Sequence, residues 1–507
     1  MLKSSVKARF SISFLSNVLR GFLSLSTGLL IGRGLGPQTY GDFVFLLGTF
    51  AGIKQLLDMG SAHAFYTFMC KKPRGRKFVL SYLVWQGIQF FLPLIFIGLL
   101  LPKQWILEIW VGQEKGLILL AFVAVFMKDS AWITMSNIGE SFRLTHKVQF
   151  FNLSIVGTHF LLVLVLFWTE HLSLNFLFGF IFIEYLVAVC VAFRIFSGNM
   201  LEDEEFDGKN IWNDYFNYCV PLILFSWLGF VREFSDRWFL QTYGGNEEQG
   251  FYGISYQLAV VSLLATASLL RIYWKEIAEA NENNDHERMS KLHQKVCRFL
   301  YMVAASISGF LIPWSEEIVG LFLGPSYLGG TAAVSIMFLY PLYQSLGLIG
   351  GSFLLAVGKT KPKVVLEGLV LIVSIPVSFF ILAPADANFP GLELGSTGMA
   401  LKMVGFCVVS SNLVLWWISR NYGWKFDWGY QILTLAGVLM LGQLSFVGVN
   451  YLGSIHAMGL FLKGGMALVI YAIGIGVFLW SVPWLAGLTR NEIKTQFSQT
   501  IQVLKNL

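Results

Sequence analysis

Apolar and polar positions alternate along this chain in long blocks. Runs of about 20–25 mostly apolar residues, enough to cross a hydrocarbon core of about 30 Å as helices, are separated by short polar segments. Fourteen such runs predict fourteen membrane-spanning helices: 11–32, 43–67, 79–101, 116–139, 149–168, 175–196, 217–240, 250–270, 299–322, 330–356, 364–384, 396–418, 429–449 and 457–482. A β-barrel would show shorter segments alternating residue by residue. The first run follows lysines as a signal peptide would, but it contains Asn17 and Arg20 and lacks a small-residue cleavage site, so it reads as a retained span. Residues 271–298, mixed in charge, predict an amphipathic helix on the membrane surface.

Composition agrees with the pattern. Of 507 residues, 55% are hydrophobic and 13% charged, against about 25% charged in soluble domains. Most of the 36 basic residues fall on one side of the predicted spans, the other side holding only Arg33, Lys103 and Lys115. Basic loops stay inside, so both termini are expected in the cytoplasm and the protein in the cytoplasmic membrane. The net charge of +6 then reflects topology and attraction to anionic membrane lipid, with no sign of nucleic-acid binding. Cys70, Cys190, Cys219, Cys297 and Cys407 are scattered and lack metal-ligand spacing, and the seven histidines form no ligand cluster, so no cofactor or metal is expected. Gly358-Lys359-Thr360 resembles the end of a nucleotide-binding loop, but Phe353 stands at the leading glycine position. The loops opposite the basic side are too short to hold a glycan for catalysis, which argues for a transporter and against an enzyme.

An internal repeat organises the chain. Arg20 recurs as Arg232, 212 residues later, and the same offset brings Tyr40-Gly41 onto Tyr252-Gly253, Ile106–Gly112 onto Ile318–Gly324, and Lys147 onto Lys359. An even number of spans separates the copies, so they share one orientation and an axis along the membrane normal. The expected fold is an all-α membrane protein with two parallel-repeat six-helix lobes around a central cavity, 1–200 and 216–420. An acidic cytoplasmic linker at 201–215 joins them, and two further helices at 421–485 and a cytoplasmic tail at 486–507 follow.

Charges inside the spans carry the candidate chemistry. An arginine at mid-bilayer costs about 2.5–3.5 kcal/mol on insertion scales, so its presence calls for a use. Arg20 has no acid three or four residues away, leaving another helix, water or cargo as its partner. Spacing of four offers pairs between Lys54 and Asp58, Arg232 and Asp236, and Glu233 and Arg237. Lys128 and Asp129 are adjacent and point about 100° apart, so one of them faces the cavity. Glu184 has no basic neighbour in sequence and reads either as a hydrogen-bonded neutral acid or as a proton or cation carrier. Arg237, Lys402 and Lys463 lie near span ends, where snorkelling is expected.

Asn17, Arg20, Leu35-Gly36-Pro37-Gln38-Thr39-Tyr40-Gly41-Asp42-Phe43, Leu57-Asp58-Met59-Gly60, Phe251-Tyr252-Gly253, Leu323-Gly324-Pro325-Ser326-Tyr327 and Val357-Gly358-Lys359 together form a pattern. It resembles the polysaccharide-exporter branch, of O-antigen or capsule type, of the multidrug/oligosaccharidyl-lipid/polysaccharide flippase superfamily. The resemblance implies alternating-access translocation of polyprenyl-diphosphate-linked oligosaccharide for cell-surface polysaccharide synthesis, with glycan polymerase or glycosyltransferases as partners. Lipid II flippases and cation-coupled multidrug antiporters of the same superfamily are the alternatives. Arginine can donate two parallel hydrogen bonds to a diphosphate, so Arg20, Arg232 and Lys54 are the candidate substrate-binding residues. Asp58, Lys128, Asp129 and Asp236 are further cavity charges, and Glu184 is the candidate coupling group.

Overall fold

The computed structural model describes residues 6–71, 75–198, 208–456 and 459–492. They are helical throughout, with no sheet. Nine helices are long and apolar enough to cross a membrane, and three bent pairs bring the number to twelve among the described residues. This is fewer than the fourteen expected runs because a bent pair counted as one can hold two of them. The first two lie on α1 (Val6–Asp58) and α2 (Ser61–Lys71), and 217–240 with 250–270 on α9 (Gly208–Phe239) and α10 (Gly245–Val260). At about 1.5 Å per residue, 53 straight residues would reach about 80 Å. The run is broken at Gly36 (φ 72°, ψ 167°), a backbone conformation open to glycine, and Pro37 starts the second half.

Two compact units form, 1–254 with 373–396, and 255–372 with 397–507. Residues 208–215 already belong to α9, and 201–207 lie outside the described residues. The other helices of the first unit are α3 (Arg76–Ile95), α4 (Lys103–Ile109), α5 (Lys115–Phe126), α6 (Trp132–Ser141), α7 (Thr145–Trp168) and α8 (Leu174–Ser197). Its helix α1 packs on α5, α7 and α9, and α8 on α5, α6 and α7. Phe65, Phe78 and Tyr82 stack in its core beside Trp132, Met135 and Phe196. Phe91, Leu99, Phe150 and Trp168 are exposed instead. Large apolar side chains standing outward suit lipid, which makes this a multi-pass membrane protein.

The second unit holds α11 (Leu263–Glu282), α12 (His286–Leu311), α13 (Ser315–Phe322), α14 (Thr331–Met337) and α15 (Tyr340–Ala356). To these it adds most of α16 (Thr360–Leu382) and α17 (Gly395–Asn421), then α18 (Gly429–His456) and α19 (Leu460–Ser481). The stretch 271–298 is no separate surface helix. It forms the ends of α11 and α12, turned at Asn283–Asp285, with Asp285 capping the Arg288 N–H at 2.9 Å and Arg288 bonded to Glu276 at 2.6 Å. The expectation failed because the apolar stripe of this amphipathic segment has a protein surface to cover: Met289, His293 and Cys297 are buried in the unit's core. Beyond α19 the chain runs back over α12. Arg298 sits 5.5 Å from the Tyr430 ring and 5.4 Å from that of Trp484, donates to the Trp484 carbonyl at 3.0 Å and pairs with Asp427. Lys295 pairs with Glu492. Of the expected tail, 493–507 lie outside the described residues.

Candidate functional site

A polar neighbourhood forms within the first unit, where α1 and α8 meet the π-helical turn Met127–Ala131 between α5 and α6, and α7 packs on both α1 and α8. An extra residue per turn there displaces the register of Lys128 and Asp129, the kind of irregularity common at functional sites. On α7 and α8, His159 Nδ1 lies 2.9 Å from Glu184 Oε2, and the Glu184 side chain is only 7% exposed. Its other oxygen, Oε1, is buried without a hydrogen-bond partner. Next to it, Tyr185 feels the charges of Asp129, Glu184 and Arg20, and Trp132 stands edge-on to its ring at 6.5 Å while donating to Asn152 at 2.9 Å. Three sequence-predicted charges, Arg20, Asp129 and Glu184, lie within electrostatic reach of this one phenol. Arg20 is half-buried and makes no hydrogen bond or ion pair among the described residues.

The other candidates separate. Lys54 is half-buried beside Phe50, Leu57, Phe122, Phe126, Gln89 and Ser130. Its expected pair with Asp58 does not form, because Asp58 instead caps α2, accepting from Ser61 Oγ at 2.9 Å and the Ala62 N–H at 3.0 Å. Positive φ at Met59 (49°) and Gly60 (81°) makes the sharp turn that brings those donors back to it. Arg232 is exposed on α9, and Asp236 accepts the buried Ser378 hydroxyl at 2.7 Å rather than pairing with Arg232. The Glu233–Arg237 pair does form, at 2.8 and 2.9 Å. Arg237 does not snorkel: its third bond, 3.1 Å, goes to the Val44 carbonyl. Lys402 is likewise buried, 5.8 Å from the Phe406 ring. Lys128 is half-buried.

A second feature is a glycine seam along α1. Pro37, Gly41, Val44, Gly48 and Gly52, spaced three to four residues apart, share one helical face. A Cβ on Gly41 would stand 1.8 Å from the Asn246 carbonyl oxygen, and one on Gly250 would stand 2.1 Å from that of Pro37. Gly253 fits against Val44, Gly48 against Arg237 and Gly52 against Phe230. At the end of the seam, Asp42 Oδ1 accepts from Gln113 Nε2 at 2.6 Å and Gln241 Nε2 at 3.1 Å, and Gln241 also donates to Asn246 Oδ1 at 2.8 Å. The Ser396 N–H donates to Glu248 at 2.6 Å. A glycine that ends a helix and one that lets a neighbour approach look alike in sequence, so contact was not legible.

No family model matches the chain, and no curated protein matches it. Solved structures do. The lipid II flippase MurJ in its inward closed conformation is 12% identical with a TM-score of 0.65, over 93% of this chain and 99% of that one. A multidrug resistance MATE family transporter of the MOP superfamily is also 12% identical. Its inward-facing conformation has a TM-score of 0.63 over 80% of this chain and 94% of that one. Its outward-facing conformation scores 0.54 over 82% and 96%. The chain shares the fold of these solved structures.

Proposed function

We propose that the chain is a flippase that carries polyprenyl-diphosphate-linked oligosaccharide across the cytoplasmic membrane by alternating access, with both termini in the cytoplasm. Arg20 carries the proposal: a half-buried guanidinium without a hydrogen-bond or ion-pair partner among the described residues, within electrostatic reach of Tyr185, in a fold shared with a lipid II flippase. The diphosphate supplies the acceptor oxygens that the protein does not, and a low dielectric strengthens such bonds. Arg232 and Lys54 are proposed as secondary contacts, Arg232 from its exposed position on α9 and Lys54 from its apolar recess. The fourteen sequence-predicted spans are then two six-helix lobes and two added helices.

Glu184 and His159 are proposed to couple transport to a proton, because a carboxyl with one bonded and one unpartnered oxygen can exchange a proton with little rearrangement. Asp129, Lys128, Asp58 and Asp236 tune the field around this path. Export of surface glycan by cells carrying Arg20→Ala or Arg20→Lys tests the proposal. Alanine should abolish export and lysine should retain part of it, since an ammonium keeps the charge but loses the paired geometry. Undiminished export by Arg20→Ala would remove the proposal.

A further inference from the structure

The second half of α1 shows two different faces to its neighbours. Away from α9 and α10 it is apolar: Phe43 packs on Phe178 of α8 at 5.2 Å between ring centres, and Phe50 on Phe122 of α5 at 5.6 Å. Toward α9 and α10 it offers the glycine seam, the Val44 carbonyl bonded to Arg237, and the Asp42 carboxylate bonded to Gln241, with Gln113 of the α4–α5 connection on the same oxygen. An apolar contact loses its stabilisation when it opens to water, whereas amides and carboxylates exchange a protein partner for a water molecule at little net cost. One face is therefore suited to remain packed and the other to separate.

We propose that the seam is the outer latch of the transport cycle, with Asp42 as its hydrogen-bond acceptor. Resting on the alternating-access reading above, the Asp42–Gln113–Gln241–Asn246 cluster and the contacts of Gly41 and Gly250 hold α1 to α9 and α10 while the cytoplasmic side is open. These contacts break when the outside opens. Both amides converge on the same oxygen of Asp42, Oδ1. The latch therefore depends on an acceptor at that place and not on the negative charge, and asparagine should replace aspartate where alanine cannot. Gly41 fixes the closest approach, 1.8 Å from a Cβ to the Asn246 oxygen, so any side chain there wedges the seam apart.

The reporter is Val44→Cys in the full-length protein with Cys70, Cys190, Cys219, Cys297 and Cys407 replaced by serine, treated from the outside with a membrane-impermeant maleimide. Labelling should be slow in this background and faster by about tenfold in Asp42→Ala, where two amide donors lose their acceptor. Asp42→Asn should stay within about twofold of the background, and Gly41→Ala should match or exceed Asp42→Ala. Labelling of a folded Asp42→Ala at the background rate, with Gly41→Ala accelerated, overturns the latch and leaves alternating access standing. Equal acceleration by Asp42→Asn and Asp42→Ala overturns the acceptor role. If Gly41→Ala and Asp42→Ala both leave the rate unchanged, the seam does not open, and alternating access through it falls as well. Should Asp42→Ala fail to elute as a single species from detergent, the donor-side double variant Gln113→Ala with Gln241→Ala takes its place, with the same expected acceleration.

Discussion

Replacing His159 by phenylalanine isolates the buried carboxyl on which the coupling proposal depends. In the native protein Glu184 Oε2 bonds His159 at 2.9 Å and Oε1 has no partner. After His159→Phe neither oxygen has one, and with the side chain only 7% exposed water can compensate little. Leaving a buried polar group unsatisfied costs about 1–3 kcal/mol, and the loss of stability should fall in that range because the phenyl ring roughly preserves volume. Glu184→Gln differs in kind. Its amide can still bond the imidazole, so stability should change by less than about 1 kcal/mol, while a group that cannot release a proton should abolish the pH dependence of transport. Denaturant unfolding in detergent and transport in proteoliposomes across a pH series read the two effects separately. Unchanged stability in His159→Phe would refute the packing argument, and an unchanged pH profile in Glu184→Gln would refute the coupling role.

Further outcomes follow from residues away from this cluster. Asp58→Ala should lower stability by about 0.5–2 kcal/mol as a lost cap, whereas Lys54→Ala should not reproduce that loss, because the two side chains are unpaired; denaturant unfolding distinguishes them. In the second unit, a Cβ on Gly442 would lie 1.9 Å from the Gly309 carbonyl oxygen, so Gly442→Ala should destabilise by about 1–3 kcal/mol through forced separation of α12 and α18, read in the same assay. Lys295 and the Thr489 backbone and hydroxyl hold the Glu492 carboxyl down to about 2 from 4.5. A depressed acid stabilises above its free value, so this tether should be complete above pH 4.5 and fade as pH falls toward 2. Limited acid proteolysis near residue 490 should show that dependence, and Glu492→Gln should lose it.

Much of the architecture was legible because apolar length alone dictates helices in lipid. One stretch of the 212-residue offset has matching local geometry: α4 and α13 are both short helices followed by a glycine with positive φ, Gly112 at 81° and Gly324 at 93°. The electrostatic site was only partly legible. Spacing of four places side chains on a common face but does not decide between competing partners, so Glu233–Arg237 formed while Asp58 went to the α2 N-terminus and Asp236 to Ser378. Glu184 looked solitary because its partner lies 25 residues away on another helix. Arg20, with no acid three or four residues away in sequence, makes no hydrogen bond or ion pair among the described residues.

Reconstituted flipping of a short-chain polyprenyl diphosphate disaccharide, compared with its monophosphate counterpart, tests the central claim most directly. Native protein should translocate the diphosphate in preference by about tenfold or more, since one bidentate phosphate contact is lost with the monophosphate. Arg20→Ala should reduce diphosphate transport to the monophosphate level. Equal transport of the two lipids by the native protein, or a preference that survives Arg20→Ala, would contradict the account.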